Sequence, residues 1–407
     1  MEIVNLGIVF CVIVTIIWLG KPLYLGMLAG IFVSILLFRI PFKTAFSILM
    51  RQTIETETID VLLGFYVITF IQCMMEKKGR IAAAEMSFNR LLRNRRINTM
   101  ISPAILGLLP SAAIMTTCAK MVDNTTKPYL DPAEQTFVAC FYRHLPEMFL
   151  PTFPAVLLGL TLGKQSASAY IIATIPLLIF ASLIVDIIYL KKIPKRMPAL
   201  LEKWSTRQEV CSIFRNLWPL MSVLLLLIII GSYLPSYSVP LAGAVIILVN
   251  FLVENFKLLD LPQLALNSIE PILLINMYLI MLFKGIISHT GVLLLLPKIF
   301  SKFPLPLSLS FALLFFCGTL IAGSQAMIAL CMPMVLVAFP TGGLPIFVMV
   351  MGIAWAAMQI SPTHVCAFVA AEYYKTTIVD LARKGIVPIL LFSGICYLYY
   401  HLLNLFF

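Results

Sequence analysis

The 407-residue chain is 61% hydrophobic and only 12% charged, with a mean hydropathy of +1.01, whereas water-soluble chains carry roughly 25% charged residues. That composition excludes an ordinary soluble domain, and apolar runs of spanning length from end to end imply an all-α polytopic membrane protein. The formal net charge of +11 does not point to nucleic acid, because the basic residues gather in two loops with no interleaved aromatics.

Ile3–Leu19 and Leu23–Phe38 read as the first two spans, joined at Gly20-Lys21-Pro22. Glu2 stands where a cleaved signal would be basic, and no A-x-A-like site follows, so the first run reads as a retained helix. A polar stretch, Arg39 to Asp60, precedes a third span, Val61–Met75. These form scaffold segment 1–76. Segment 77–98 holds Lys77, Lys78, Arg80, Arg90, Arg93, Arg95 and Arg96 and reads as a cytoplasmic amphipathic connector with its charges among lipid headgroups.

Segment 99–190 opens with Met100–Met121, broken at Pro110. The arm Thr99–Leu109 covers roughly 16 Å at helical rise, about half a bilayer core, which suits a re-entrant hairpin. A further segment from Asp131-Pro132 breaks at Arg143-His144-Leu145-Pro146-Glu147 and again near Pro151 and Pro154, and Tyr170–Leu190 closes this half. The linker 191–215, with Lys191, Lys192, Lys195, Arg196, Lys203, Arg207 and Arg215, is the second basic, cytoplasmic loop. Scaffold 216–290 holds spans Leu217–Leu234, Val239–Val253 and Ile269–Ile287. Connector 291–306 carries Lys298 and Lys302. Segment 307–407 holds a hairpin, Leu307–Phe339, interrupted at Gly323-Ser324-Gln325; then Leu344–Tyr374, broken at Ser361-Pro362-Thr363-His364; then Ile386–Phe406.

The halves echo each other. Ser111/Ser324, Ala113/Ala326, Cys118/Cys331, Met121/Met334 and Val122/Val335 coincide at an offset of 213, as do Leu28-Ala29-Gly30/Leu241-Ala242-Gly243 and Pro132/Pro345. Gly79/Gly291, Asp60/Glu270 and Pro146/Pro362 follow at 212, 210 and 216. The pattern predicts two repeats, each of five spans plus one hairpin, with one broken span per repeat. Five is odd, so the second copy enters the membrane inverted, and with both basic loops inside, both termini lie outside.

Broken helices at membrane depth leave N–H and C=O groups that lipid cannot satisfy, so they persist only beside protein, ions or water. A half-helix N-terminus at Ser111 or Ser324 offers unpaired N–H groups and about half a positive charge, which suits an anion. The carbonyls before each break, the two serine hydroxyls and Gln325 suit a small cation such as Na⁺. The candidate substrate site is therefore Pro110, Ser111, Ala112, Gly323, Ser324, Gln325 and Thr363. His144, Glu147, Ser361 and His364 are candidates for a coupling proton or ion, since an ionised group at mid-bilayer costs about 2.5–3.5 kcal/mol and is seldom kept idly. A structural Arg143–Glu147 pair is the plainer explanation of the first break. The His144/Glu147 spacing resembles half a metal site, but zinc needs a third ligand and a helix unbroken by Pro146, so no metal is expected. The nine cysteines contain no CxxC pair and read as small packing residues. Glu372, Asp186, Asp60 and Glu270 are adequately explained as helix-end or interfacial acids.

Leu108-Leu109-Pro110-Ser111-Ala112, with Ser361-Pro362-Thr363-His364 ahead of Ala371-Glu372-Tyr373-Tyr374, resembles a prokaryotic integral-membrane family of unassigned function. That family belongs to the ion-transporter superfamily, alongside gluconate, citrate, dicarboxylate and arsenite carriers and some Na⁺/H⁺ antiporters. In the dicarboxylate carriers the tips read Ser-Asn-Thr; here they read Ser111-Ala112-Ala113 and Ser324-Gln325-Ala326, a departure that moves the expectation towards proton coupling. The resemblance implies a homodimer working by an elevator motion. The expected function is a secondary transporter of a small organic anion in the cell membrane, coupled to H⁺ or Na⁺, with lipids as its other partner and no cofactor. A monovalent cation/H⁺ antiporter is the alternative; an intramembrane enzyme using His144, Glu147 and His364 is disfavoured by the absence of HExxH and GxSxG.

Overall fold

The structure is a computed structural model and describes residues 2–91, 94–108, 114–195, 205–233, 237–292 and 304–406. Arg93, Arg196, Lys203, Lys298 and Lys302 lie outside the described residues, as does the first hairpin tip with Pro110, Ser111, Ala112 and Ala113. The described residues form nineteen α-helices and no strand. Among the described residues, five helices are long and apolar enough to cross a membrane: Thr56–Lys77, Ala167–Ile188, Thr206–Ile230 within a longer helix, Pro271–Thr290 and Ile378–Leu403.

The first half runs α1 (Glu2–Trp18), α2 (Leu23–Leu37), α3 (Phe42–Thr53), α4 (Thr56–Lys77), α5 (Arg80–Leu91), α6 (Arg95–Leu106), α7 (Ile114–Thr126), α8 (Pro132–Arg143), α9 (Pro154–Gly163) and α10 (Ala167–Ile188). The second runs α11 (Thr206–Tyr233), α12 (Ser238–Val253), α13 (Leu261–Asn267), α14 (Pro271–Thr290), α15 (Leu307–Ala322), α16 (Ser324–Ala338), α17 (Gly343–Met358), α18 (Val365–Tyr374) and α19 (Ile378–Leu403). The polar stretch 39–60 is not a plain connection. It contains α3, whose Gln52 turns inward to donate to Thr58 at 3.3 Å. Asp60 therefore sits inside α4, whereas Glu270 caps α14.

Packing between the halves is reciprocal. α2 packs on α14 and α4 on α12; α7 packs on α18 and α9 on α16; α8 packs on α19 and α10 on α17. Backbone geometry repeats as well. Left-handed residues follow equivalent helices at Arg39 and Asn255 (φ 53° and 50°), Gly79 and Gly291 (62° and 68°), and Lys164 and Lys375 (51° and 56°), where such a residue closes the last turn and satisfies its carbonyls. Gly30 and Gly243 are both sites of close helix approach: a Cβ would come within 2.6 Å of Ile13 and 2.4 Å of Val67, respectively. Small residues at such crossings let helices pack where lipid offers no hydrophobic drive.

The basic segments share one face. Arg95 N–H donates to the Lys195 carbonyl at 2.8 Å, and Arg96 donates to the carbonyls of Ile193 (2.6 Å) and Lys191 (2.9 Å). Connector α5 does not simply float among headgroups. It is clamped on α11 by Ser87–Ser212 (2.8 Å) and by buried Arg80, which donates to the Arg215 carbonyl and to Glu254. The Arg80 hydrogen bond holds the Glu254 carboxyl below its ordinary 4.5, so the stability it contributes is complete above about pH 4.5 and lost as pH falls through the lowered value. Arg80→Met is expected to cost on the order of 2 kcal/mol at pH 7 and to flatten the acid limb. Melting temperatures of both proteins in detergent between pH 3 and 7 check this; equal slopes would exclude the clamp.

Candidate functional site

Each half contributes a hairpin and a broken helix, and the hairpins turn back on themselves. Thr99 donates to Thr125 at 2.8 Å across the α6–α7 pair, and the Phe311 and Phe339 rings meet at 5.7 Å across α15–α16. The second tip is a single glycine: Gly323, at φ 84° and ψ 160°, ends α15 and opens α16. Only glycine adopts that conformation at no steric cost, and a Cβ there would lie 3.3 Å from Thr363 Oγ1. The hairpin thus rests on its own half's break. Ser361 secures it, donating to the Thr319 and Leu320 carbonyls (3.2 and 3.0 Å) and lying 2.8 Å from Thr363 Oγ1. On the other side, Gly107 of the first hairpin approaches so closely that a Cβ would stand 2.0 Å from the Arg143 carbonyl oxygen.

The first break is built by Pro146 and Pro154. α8 ends at His144, Pro146–Met148 form one 3₁₀ turn, and α9 starts at Pro154, each proline at a first-turn position. Tyr170 of α10 holds the turn, donating to the Met148 carbonyl at 2.6 Å. Trp355 of α17 donates to the His144 carbonyl at 2.8 Å. The two breaks therefore meet: the His144 and His364 rings are 4.3 Å apart, edge to face. His144 is 1% exposed, its Nδ1 lies 2.6 Å from the Cys140 carbonyl oxygen, and its Nε2 lies 4.0 Å from Glu147 Oε2. The basic side chain facing Glu147 is the His144 imidazole, at 4.0 Å; the plainer alternative, a structural Arg143–Glu147 pair, is not found among the described residues.

Ser324 and Glu147, from different halves, line one cavity of about 10 Å³ with Met148, Tyr170, Trp355 and Met358, room for about one water. Ser324 Oγ points to Met358 Sδ at 3.3 Å. Gln325 is partly buried, and Glu372 is exposed and pairs with no base among the described residues. The structure brings together Gly323, Ser324, Ser361, Thr363, His144, Glu147 and His364.

Three participants have no part in the sequence-level site. Trp355 looks like one more aromatic in an apolar span. Gln359, fully buried at the end of α17 with both amide atoms unpartnered among the described residues, is signalled only by being polar immediately before a break. Cys140 is one turn before His144, a spacing that puts both on one helix face. All nine cysteines are free thiols.

A family model described as "Protein of unknown function (DUF401)" matches residues 3–403. No curated protein matches the chain.

Proposed function

As the chain belongs to the DUF401 family, whose description assigns no activity, we propose its function from geometry: a secondary active transporter moving a small organic anion across the cytoplasmic membrane, coupled to H⁺ or Na⁺. The observation that carries this reading is the meeting of the two helix breaks, with His144 and His364 rings 4.3 Å apart and the Ser324 helix start facing Glu147 across one cavity. Helix breaks leave backbone groups that need partners, and opposed breaks under a half-helix N-terminus are the usual furniture of a transporter midplane.

The reciprocal pairing of α2 with α14 and α4 with α12, and of α7 with α18 and α9 with α16, supports two inverted repeats. The shared face of the two basic segments supports placing both in the cytoplasm, with the termini outside. In this reading α1–α4 and α11–α14 are the scaffold of a homodimer, and the hairpins and broken helices move against it as an elevator. Lys164, the residue that closes α9, then bridges the moving boundary, 3.7 Å from Glu57, which also pairs with Lys284. The anion sits on the Ser324 N–H groups and hydroxyl.

Proteoliposomes carrying the purified chain are expected to accumulate one class of carboxylate or sugar acid under an imposed pH or Na⁺ gradient. Ser324→Ala should reduce that uptake about tenfold, the equivalent of one lost hydrogen bond to a charged group. No driven uptake across a broad anion panel would end the proposal. A monovalent cation/H⁺ antiporter is the second reading, favoured by the enclosed His144–Glu147 pair at 4.0 Å; it requires Na⁺ or K⁺ alone to collapse a preformed pH gradient in the same vesicles.

A further inference from the structure

We propose that Cys140, His144 and His364 form a transition-metal site that ties the two helix breaks together. One ligand atom from each lies within 4.8 Å of those of the other two. The arrangement goes further than proximity. His144 Nδ1 lies 2.6 Å from the Cys140 carbonyl oxygen, a bond that takes the ring's N–H and leaves the Nε2 lone pair free; the Cys140 thiol stands 3.7 Å from that same Nδ1, so ligation through Nε2 turns the thiol towards the Nε2 side of the ring. That orientation, with one ring nitrogen donating to a backbone carbonyl, is the one that metal-ligating histidines adopt. His144 Nε2 and His364 Nδ1 are both enclosed and have no hydrogen-bond partner among the described residues. Enclosed ring nitrogens without partners are uncommon in folded proteins, and an ion is one of the few things that explains two in one cluster.

The donor set names the class of ion. Two imidazoles and a thiol suit Zn²⁺ and its borderline-soft neighbours, whereas Mg²⁺ and Ca²⁺ require oxygen cages. Glu147, 4.0 Å from His144 Nε2, adds a carboxylate at the edge. Arg143 stands next in the chain and opposes a cation; loss of the Cys140 proton on ligation offsets its charge. The sequence alone discourages a metal because His144 and Glu147 lack a third ligand. The fold supplies two, Cys140 from the preceding turn and His364 from the other half. Donors around a tetrahedral ion stand roughly 3.5 Å apart, so ligation draws the breaks together by about an ångström. The ion would thereby act as a clasp between the repeats.

This inference does not rest on the transport reading, because ion binding is measured on purified protein alone. Metal-stripped full-length chain in detergent is titrated with Co²⁺. Near-ultraviolet thiolate-to-cobalt charge transfer and visible d–d bands are expected at one ion per chain, with Zn²⁺ abolishing both. Cys140→Ser should remove the charge-transfer band, and His364→Gln, on a partly exposed residue that leaves α8 intact, should weaken Co²⁺ binding about tenfold or more. Zn²⁺ should raise the melting temperature of the natural protein and leave that of His364→Gln unchanged. Absence of the bands in the natural protein, or bands and Zn²⁺ stabilisation that persist unchanged in His364→Gln, would overturn the site.

Discussion

Gly107→Ala is expected to lower the melting temperature by several degrees and to abolish any activity that depends on the first hairpin. A single added Cβ would stand 2.0 Å from the Arg143 carbonyl oxygen, 3.0 Å from its carbon and 3.1 Å from the Ala104 oxygen, so the three atoms nearest to it are all backbone. Backbone at this point has little freedom. The next residue, His144, is held by its N–H to the Cys140 and Phe141 carbonyls at 3.2 and 3.1 Å and by Trp355 on its own carbonyl at 2.8 Å. Overpacking of a rigid site costs about 1–3 kcal/mol and more when nothing yields, and here the upper end applies. Gly394, with nothing within 4 Å of its Cβ position, is the control: alanine there should be neutral or slightly stabilising, by about 0.5 kcal/mol, through the unfolded chain. Thermal melts of the two variants in one detergent test the contrast. Equal melting temperatures would mean that the hairpin does not rest on the break.

Much of the helix plan is legible because breaks announce themselves chemically. Gly323 adopts a positive φ and Pro146 and Pro154 open new first turns, so these breaks are marked in the sequence, although proline alone does not decide: Pro103, Pro176, Pro219, Pro333 and Pro388 lie inside continuous helices. Helix starts are harder to read. The amphipathic α3 hides in a polar stretch, α11 begins eleven residues earlier than its apolar run because Thr206 to Asn216 is helical by packing on α5, and α5 ends sooner because Asn94 caps a new helix, accepting from the Arg96 and Ile97 N–H groups. Repeat matching finds equivalent residues, but it does not say that the two breaks touch. His144 meets His364 only because α17 brings Trp355 under the first break, a contact between residues 211 apart. Sequence distance also hides the cluster around Cys140: on its own helix it is one of nine free thiols with a single histidine one turn on, and His364 of the other half completes the group. Gln359 shows the limit from the other direction. Its polarity is visible, whereas its complete burial is a property of α17 being enclosed on all sides.

Glu147→Gln is expected to separate driven transport from exchange. Glu147 is the one acid among the described residues bordering the cavity that Ser324 also lines, and its carboxylate is 15% exposed and 4.0 Å from a buried imidazole. A carboxyl so placed can cross the membrane environment cheaply only when neutral, so taking up and releasing a proton is what would couple its position to a gradient. The amide keeps the shape and hydrogen-bonding reach of the acid while being unable to give up a proton. A coupled carrier with this change should lose proton-driven accumulation by about tenfold or more, yet retain substrate-for-substrate exchange, in which the empty, reprotonating step is never needed. Glu147→Asp, which keeps a titrating group, should restore part of the driven uptake. Counterflow and pH-jump uptake in the same proteoliposomes separate these cases. Loss of both activities in Glu147→Gln would make the residue part of the substrate site instead, and full retention of proton-driven uptake would assign the coupling proton to a group other than Glu147.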